Sequence, residues 1–453
     1  MKQENGHLDE LATTRASRLA RMTRLGGVMA GNVARAAASA AVTGSMSRAS
    51  EHMHERVAET LATSLGEMKG MPMKLGQMLS YIDELMPAKH REAYREGLAK
   101  LQAQTPAMDW SSIEGLLERN LGAPPDEFFA EIDHEPIAAA SIGQVYRARL
   151  HNGDSVAVKV QYPGIAESVA SDLDNAKLLA APMFAMVPRV AMEGAISDLR
   201  SRLQLECDYA LEAQSQLTFA DLWAGDDEIY VPRVYQEMCG PQVLVTEFIE
   251  GESWAQMMAR TDAADRARYG RILFRFVYHS LYAFGIFNTD PHPGNYLFMP
   301  DGRVAFLDFG SVHRYEDSTR RDFCELALLC MHKQRGPEMR RVIHRTFGIP
   351  EHVKPDEELW QLFETFCIAC AEPWAAPQPY KFKPELLADI SANTSKARSM
   401  LLKRILRDGL WTPERSGIAF MYRINFGLNS LLCELGPETD WREIINAACA
   451  KEQ

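Results

Sequence analysis

Short runs in which hydrophobic and polar positions alternate predict β-strands in the central part of the chain. GQVYRARL (143–150) and SVAVKV (155–160) both alternate, and the HNGD between them is a hairpin signal. The stretch IYVPRVYQEMCGPQVLVTEFIEG (229–251) predicts two more strands, one on each side of CGPQ. We therefore expect a small lobe that is mostly β.

Helical periodicity surrounds these strands. Residues 51–103 and 165–222 are predicted to be helical, and Lys74 and Gln77 would share one face of a helix in the first of these ranges. The chain after about residue 252 is also mainly helical, apart from a short hairpin in NYLFMPDGRVAFLDFG. The pattern predicts an α+β fold in which a helical extension precedes the β-rich lobe and a larger helical lobe follows it.

Composition agrees with an ordered globular protein. Of the 453 residues, 46% are hydrophobic and 24% are charged, and the net charge is −12. An acidic balance argues against a dedicated nucleic-acid binder, so no nucleic-acid partner is expected.

The first 50 residues differ from the rest in charge, with seven Lys and Arg against three Asp and Glu, hence +4. Arg15, Arg18, Arg21 and Arg24 recur every three residues. Such a stripe suits a solvated helix face, a contact with anionic lipid headgroups or a transit peptide, and we favour lipid. No run approaches the ~18 apolar residues of a membrane span, and no secretory signal is indicated. The expected location is the cytoplasmic or matrix side, with peripheral membrane contact.

Eight cysteines in 453 residues are too sparse for a disulfide scaffold and favour a reduced compartment. Cys367 and Cys370 form one CxxC, without a second pair or neighbouring histidines. We interpret them as small apolar residues on one helix face rather than as a metal or redox site.

Lys159 lies between apolar neighbours of a predicted strand, where a lysine is costly unless a carboxylate meets it. At 100° per residue, one apolar face of the following helix has Glu206 at its centre, whereas Asp208 and Glu212 fall on the opposite side. The residues of this face are Leu199, Leu203, Ala210, Ala213 and Leu217. The pattern predicts an ion pair between Lys159 and Glu206.

Asp290, Asn295 and Asp308 are candidates for phosphoryl-transfer chemistry. This reaction needs a carboxylate near the acceptor hydroxyl and hard oxygen ligands for Mg²⁺, and these three residues supply both. Their D-x₄-N spacing followed by D-F-G matches the protein-kinase pattern. His292 and Pro293 are expected to shape the loop rather than to react.

With these motifs together, the chain resembles the UbiB/AarF family of atypical kinases, which includes the coenzyme Q biosynthesis kinases. The shared motifs span residues 74 to 310. They are KLGQ (74–77), AAAS (138–141), VAVK, ECD (206–208), DPHPGN and LDFG. The resemblance implies a protein-kinase-like two-lobe fold, whose expected segments are a basic arm (1–50), a KxGQ extension (51–110), an N-lobe (111–250) and a helical C-lobe (251–453).

The resemblance also implies roles for individual residues. Lys159 would hold the α and β phosphates and pair with Glu206, Asp290 would be the catalytic base, and Asn295 and Asp308 would hold Mg²⁺. ATP, or ADP, would lie under a loop of Ala138, Ala139, Ala140 and Ser141. Its adenine would meet the hinge residues Thr246, Glu247, Phe248 and Ile249. Lys74, Gly76, Gln77 and Asp208 would be regulatory, the first three in an inserted element that covers the site.

Two departures from protein kinases follow from the residues themselves. AAAS lacks the glycines that let a phosphate-covering loop flex, so this loop should be stiffer. After Gly310 the chain passes into a predicted helix without an A-P-E motif, so the platform that positions peptide substrates is missing.

The leading hypothesis is an ATP- and Mg²⁺-dependent atypical kinase or ATPase. By resemblance it would support ubiquinone biosynthesis at a membrane, where it would act on or extract lipid or quinone precursors in company with other coenzyme Q biosynthesis proteins. The alternatives are a nucleotide-binding pseudokinase that serves as a scaffold or lipid chaperone, and a small-molecule kinase.

Overall fold

The structure is a computed structural model, and it describes residues 109–140, 142–165, 207–260, 262–349, 354–390 and 427–450. The predicted basic arm and KxGQ extension, with Lys74, Gly76 and Gln77, lie outside the described residues, as do Ser141 and Glu206. The described chain is α+β, as predicted, and divides into two compact units that meet in sequence between Cys207 and Asp208.

The first unit is built on an antiparallel sheet. Its elements are α1 (Trp110–Leu121), β1 (Phe129–Ile132), β2 (Ala138–Ala140), β3 (Gly143–Leu150) and β4 (Ser155–Gln161). Strands β1 and β2 each pair with β3, and β3 pairs with β4 along its length. The predicted HNGD hairpin is confirmed, since the Leu150 N–H donates to the Asp154 carbonyl at 2.9 Å. Val156, Val158 and Val160 are fully buried, so the alternation in β4 does mark its core face.

Helix α1 is absent from the predicted elements, although its sequence carries signals at both ends. The Asp109 side chain accepts from the Ser111 N–H at 2.9 Å, and Gly122 ends the helix with a φ of 81°. Its buried face consists of Ile113, Leu116 and Leu117.

The second unit is mainly helical. Its helices are α2 (Tyr209–Leu222), α3 (Trp254–Arg260), α4 (Ala263–Phe284), α5 (Asp317–Met331), α6 (Pro337–Thr346), α7 (Glu357–Cys370), α8 (Glu372–Ala375), α9 (Asn429–Leu435) and α10 (Trp441–Cys449). Residues 384–390 are also helical. Its strands are β5 (Ile229–Tyr230), β6 (Val243–Glu247), β7 (Ile286–Asn288), β8 (Tyr296–Phe298), β9 (Val304–Phe306), β10 (Val312–Arg314), β11 (Tyr380–Lys381) and β12 (Glu438–Thr439).

The small strands of this unit carry the loops of interest. β8 and β9 form the predicted hairpin, β5 lies parallel to β9, and β7 pairs antiparallel with β10. Only one of the two strands predicted around CGPQ has full length, because β5 ends at Tyr230 and Pro232 cannot donate a ladder hydrogen bond. The chain then makes a 3₁₀ turn at Gln236–Met238 before β6.

Helix α4 is the centre of the helical core. The Phe274 ring lies 4.8 Å from Trp441 and 6.1 Å from Trp374, and all three side chains are buried. These two tryptophans are therefore core residues, and Trp360 packs partly buried against the same core. Trp411 lies outside the described residues. Among the described helices, none is long and apolar enough to cross a membrane.

Candidate functional site

The loop that carries Asp290 begins at the end of β7 and is fixed there by Thr289. The Thr289 N–H donates to the Ser311 carbonyl at 2.8 Å, and its hydroxyl donates to the same oxygen at 3.0 Å. Thr289 is buried. This joint ties the start of the Asp290 loop to the segment that follows Asp308.

One tight turn brings Asp290 and Asn295 together. The His292 N–H donates to the Asp290 carbonyl and the Asn295 N–H to the His292 carbonyl, each at 2.9 Å. The Asn295 Nδ2 donates to the Asp290 carbonyl at 3.0 Å and lies 3.4 Å from Asp290 Oδ2. Pro293 opens the 3₁₀ turn, and His292 Nδ1 accepts from the Gly294 N–H at 3.1 Å. His292 and Pro293 therefore shape the loop, as predicted.

Asn288 joins this turn to Asp308, and the sequence motifs do not point to it. Its Nδ2 donates to the Asp308 carbonyl at 2.6 Å, and its Oδ1 accepts from the Asp290 N–H at 3.1 Å. The Asp308 carboxylate is oriented in turn by the Gly310 N–H, which donates to Oδ1 at 2.9 Å. The structure thus links all three predicted residues through one hydrogen-bonded network.

The phenylalanine after Asp308 anchors the network in the core. Phe309 is 1% exposed, and its ring lies 5.0 Å from that of Phe219 on α2. Arg314 adds a second link to the same helix, because it donates to the Thr218 hydroxyl at 2.8 Å. Helix α2 and the segment that follows Asp308 are therefore held together by a buried ring contact and a hydrogen bond.

Glu212 on α2 is the site residue that sequence reasoning misplaced. The interpretation that it faces away from the apolar side is wrong, because Glu212 is only 4% exposed. A methyl group on Gly310 would lie 3.3 Å from Glu212 Oε2 and 3.4 Å from Asp308 Oδ1, so the two carboxylates converge on Gly310. The large side chains Tyr209 and Phe219 set the buried face, whereas Ala210 of the predicted face is exposed.

Asp208 has a structural role at the start of this helix. Its side chain accepts from the Ala210 N–H at 3.0 Å, and its backbone is extended, so helix α2 begins after it. The predicted apolar face ran through this break as if one helix continued. Glu206 and the predicted Lys159–Glu206 ion pair lie outside the described residues.

The predicted hinge lies at the end of β6. Thr246 and Glu247 are the last residues of this strand, Phe248 is half-buried and Ile249 is 7% exposed. Glu247 Oε2 accepts from the Tyr230 hydroxyl at 2.6 Å and from the Arg233 N–H at 3.2 Å. Burial, followed by the bond to Glu247, raises the Tyr230 pKa to about 12, so this phenol donates throughout the neutral range.

The remaining predicted nucleotide residues lie in the first unit. Lys159 stands opposite Val145 in the β3–β4 ladder, on the face opposite the buried valines. Ala138–Ala140 form β2, with Ala138 opposite Val145 and Ala140 opposite Gly143. The backbone of these alanines is therefore held by strand pairing.

Asn295 and Asp308 have the donor chemistry that Mg²⁺ requires. Both contacts of the Asn295 amide to Asp290 use the nitrogen, so Oδ1 is the atom that can ligate a cation. Within the described residues there is no cluster of three or more His, Cys, Asp or Glu residues able to hold a metal. An amide and a carboxylate suit an ion that also takes phosphate oxygens and water as ligands.

Three thiols line a small cavity in the helical core, named here the thiol cavity: Cys330, Cys367 and Cys370. Cys367 and Cys370 lie one turn apart on α7 and are each 1% exposed, as the apolar interpretation predicts. Burial raises the pKa of all three thiols, that of Cys330 to about 12. They are therefore protonated at neutral pH and have the character of core residues.

The chain is similar to several known proteins. Residues 100–339 match the ABC1 atypical kinase-like domain. The chain is 35% identical over 284 residues to an uncharacterized Synechocystis protein, covering 60% of this chain and 68% of that one. It is 32% identical over 286 residues to the mitochondrial atypical kinase COQ8 of Schizosaccharomyces pombe, covering 62% and 46%. The chloroplast ACTIVITY OF BC1 COMPLEX KINASE 1 of Arabidopsis thaliana is 36% identical over 245 residues, covering 53% and 35%.

A solved structure extends the likeness to the whole fold. Rv3197 of Mycobacterium tuberculosis, determined with erythromycin, superposes with a TM-score of 0.59 at 26% identity. The match covers 89% of this chain and 98% of Rv3197.

The family match and the fold define an atypical kinase-like protein. The chain belongs to the ABC1/UbiB atypical kinase family, as its motifs predicted. It spans less than half the length of COQ8 and of the Arabidopsis protein, so the activities of those whole proteins are not transferred to it directly.

Proposed function

We propose that the protein is an ATP- and Mg²⁺-dependent atypical kinase or ATPase that acts on lipid or quinone precursors at a membrane surface. The observation that supports it best is the network in which Asn288 connects Asp290 to Asp308 and Asn295 donates to the Asp290 carbonyl. Such a network pre-organises the groups that phosphoryl transfer uses, and most catalysis of this reaction comes from positioning and electrostatics.

Each residue has a proposed part. The Asp290 carboxylate accepts the proton of the attacking hydroxyl or water, while Asn295 Oδ1 and the Asp308 carboxylate hold Mg²⁺. Bound Mg²⁺ would neutralise phosphate charge. Lys159 is proposed to bind phosphate oxygens, with Ala138, Ala139, Ala140 and Ser141 over them, and residues 246–249 to bind the adenine.

We propose that Glu212 has the role that the sequence analysis assigned to Glu206, that of a buried carboxylate which pairs with a cation. Its support is that Glu212 is 4% exposed and converges with Asp308 on Gly310, where a bound cation would stabilise both carboxylates. Glu212→Gln should therefore reduce ATP turnover much more than Glu206→Gln. If the two variants lose ATP turnover equally, or if Glu206→Gln loses more, Glu206 and not Glu212 has this role.

Three considerations support the proposal that the protein acts on lipid or quinone precursors rather than on peptides. Helix α5 begins at Asp317, soon after Gly310, and this leaves no long segment on which to present a peptide. The resemblance to a family that includes the coenzyme Q biosynthesis kinases, with COQ8 at 32% identity, implies quinone precursors as substrates. The basic arm at 1–50 would supply contact with anionic lipid, and Lys74, Gly76, Gln77 and Asp208 would regulate access.

The test of this output uses cells that lack the protein. Quinones and their precursors are measured after complementation with the parent chain or with Asp290→Asn. Restoration by the parent but not by Asp290→Asn supports enzymatic action. Equal restoration by both would favour the alternative of a nucleotide-binding scaffold or lipid chaperone.

A second candidate is the binding of a bulky small molecule. It is favoured by the likeness to Rv3197, whose structure is a complex with erythromycin and which matches 89% of this chain. Calorimetric titration with a macrolide, with and without Mg²⁺·ADP, distinguishes the two. Binding of the macrolide in a protein that does not hydrolyse ATP would favour this candidate.

A further inference from the structure

The loop that carries Asp290 packs against the C-terminal part of the chain at Gly427. Gly427 precedes helix α9, and a methyl group built on it would overlap Pro291 Cγ and lie 3.3 Å from Pro291 Cδ. Pro291 directly follows Asp290, and its ring cannot rotate away. The Pro291 ring therefore packs on the bare backbone of Gly427.

Space, rather than backbone conformation, accounts for the glycine. Gly427 lies in a helical turn, a backbone conformation that alanine adopts readily. Among the described residues, the contact that opposes alanine at position 427 is the overlap of its methyl group with the Pro291 ring.

The support behind Gly427 is rigid. Leu428 and Leu432 of this segment are fully buried in the helical core, and Leu435 is 1% exposed. Two hydrogen bonds add to this anchorage: Trp254 Nε1 donates to Glu434 at 3.2 Å, and the Cys433 thiol donates to the Lys383 carbonyl at 3.1 Å. A displaced Pro291 would therefore move the loop rather than α9.

The Asp290 carbonyl transmits such a movement to the proposed metal ligand. It accepts both the His292 N–H at 2.9 Å and the Asn295 Nδ2 at 3.0 Å. Pro291 supplies the peptide nitrogen bonded to that carbonyl carbon, so a shift of its ring tilts the acceptor. The orientation of the Asn295 amide then changes with it.

We propose that Gly427 is a positioning residue that sets the loop geometry of Asp290 and Asn295 through Pro291. The catalytic meaning of this contact rests on the proposed function, but the contact itself can be tested without turnover. Its readout is amide hydrogen exchange at residues 290–296, together with the Mg²⁺ concentration that half-saturates binding of a fluorescent ADP analogue.

Gly427→Ala is compared with a matched control, Gly270→Ala. A methyl group on Gly270 would lie 2.5 Å from Pro437 Cγ and 2.6 Å from Pro437 Cβ, which is the same kind of clash away from the loop. Gly427→Ala should speed exchange in residues 290–296, raise the half-saturating Mg²⁺ concentration and lower kcat on the order of 10- to 100-fold. Gly270→Ala should lower the melting temperature but leave these three quantities within about twofold of the parent.

Relief of the clash decides whether the effect passes through Pro291. Pro291→Ala removes the ring, so Gly427→Ala with Pro291→Ala should restore loop exchange and Mg²⁺ dependence to those of Pro291→Ala alone. An effect of Gly427→Ala that matches Gly270→Ala, or that persists unchanged in the double variant, would overturn the inference. If the parent chain does not hydrolyse ATP, the proposed function fails, and exchange and Mg²⁺ binding still decide the role of Gly427.

Discussion

Replacing Asn288 with alanine removes the amide that joins the Asp290 loop to Asp308. The parent side chain donates to the Asp308 carbonyl at 2.6 Å and accepts from the Asp290 N–H at 3.1 Å. Each hydrogen bond contributes about 1 kcal/mol net, so the assembled loop should lose about 2 kcal/mol. At roughly 1.4 kcal/mol per factor of ten, this predicts a fall of about 30-fold in kcat/KM for Mg²⁺·ATP.

The assay is steady-state ATP hydrolysis at saturating Mg²⁺, with Asn120→Ala as the control. Asn120 Nδ2 donates to the Leu116 carbonyl at 3.0 Å within helix α1, so this variant loses a comparable amide bond outside the loop. Asn288→Asp keeps an acceptor for Asp290 but places a carboxylate oxygen against the Asp308 carbonyl, and it should be at least as impaired as Asn288→Ala. If Asn288→Ala keeps kcat/KM within twofold of Asn120→Ala, the reasoning about this network is refuted.

Three further outcomes follow from the second unit. Phe309→Ala should cost about 3–5 kcal/mol of unfolding free energy by chemical denaturation, because its ring is 1% exposed. Tyr230→Phe should weaken ADP binding by several-fold in titrations while the melting temperature changes little, because Glu247 loses a donor at 2.6 Å. Cys330 and the other thiols of the thiol cavity should resist iodoacetamide at pH 8 and react only after denaturation, since burial raises the Cys330 pKa to about 12. Unchanged stability, unchanged ADP affinity or rapid native labelling would each contradict the corresponding argument.

The elements with a strong local period could be predicted from the sequence. β4 alternates buried valines with half-buried positions, and Lys159 lies on its less buried face. The turn from Asp290 to Asn295 could also be anticipated, because its proline, glycine and asparagine determine its shape locally. The α+β class and the helix that begins soon after Gly310, at Asp317, followed from the same local signals.

The residues that escaped sequence reasoning act through contacts distant in sequence. Asn288 lies at the end of β7, and no neighbouring residue in the sequence indicates that the Asp308 carbonyl accepts its amide. Gly427 lies far along the chain from Pro291, which it contacts. Glu212 was recoverable, since an aspartate cap at 208 and the bulk of Tyr209 and Phe219 indicate which face of α2 is buried.

Mg²⁺-dependent ATP hydrolysis by the full chain and by Asp308→Asn tests the central claim most directly. Asp301→Asn is the matched control, because Asp301 is an exposed carboxylate at the turn between β8 and β9, paired with Arg303 at 2.7 Å. Loss of a Mg²⁺ ligand that contributes several kcal/mol should lower the rate on the order of 100-fold or more in Asp308→Asn. The Asp301→Asn rate should stay near that of the parent. A parent rate that is independent of Mg²⁺, or an Asp308→Asn rate equal to the Asp301→Asn rate, would contradict the account.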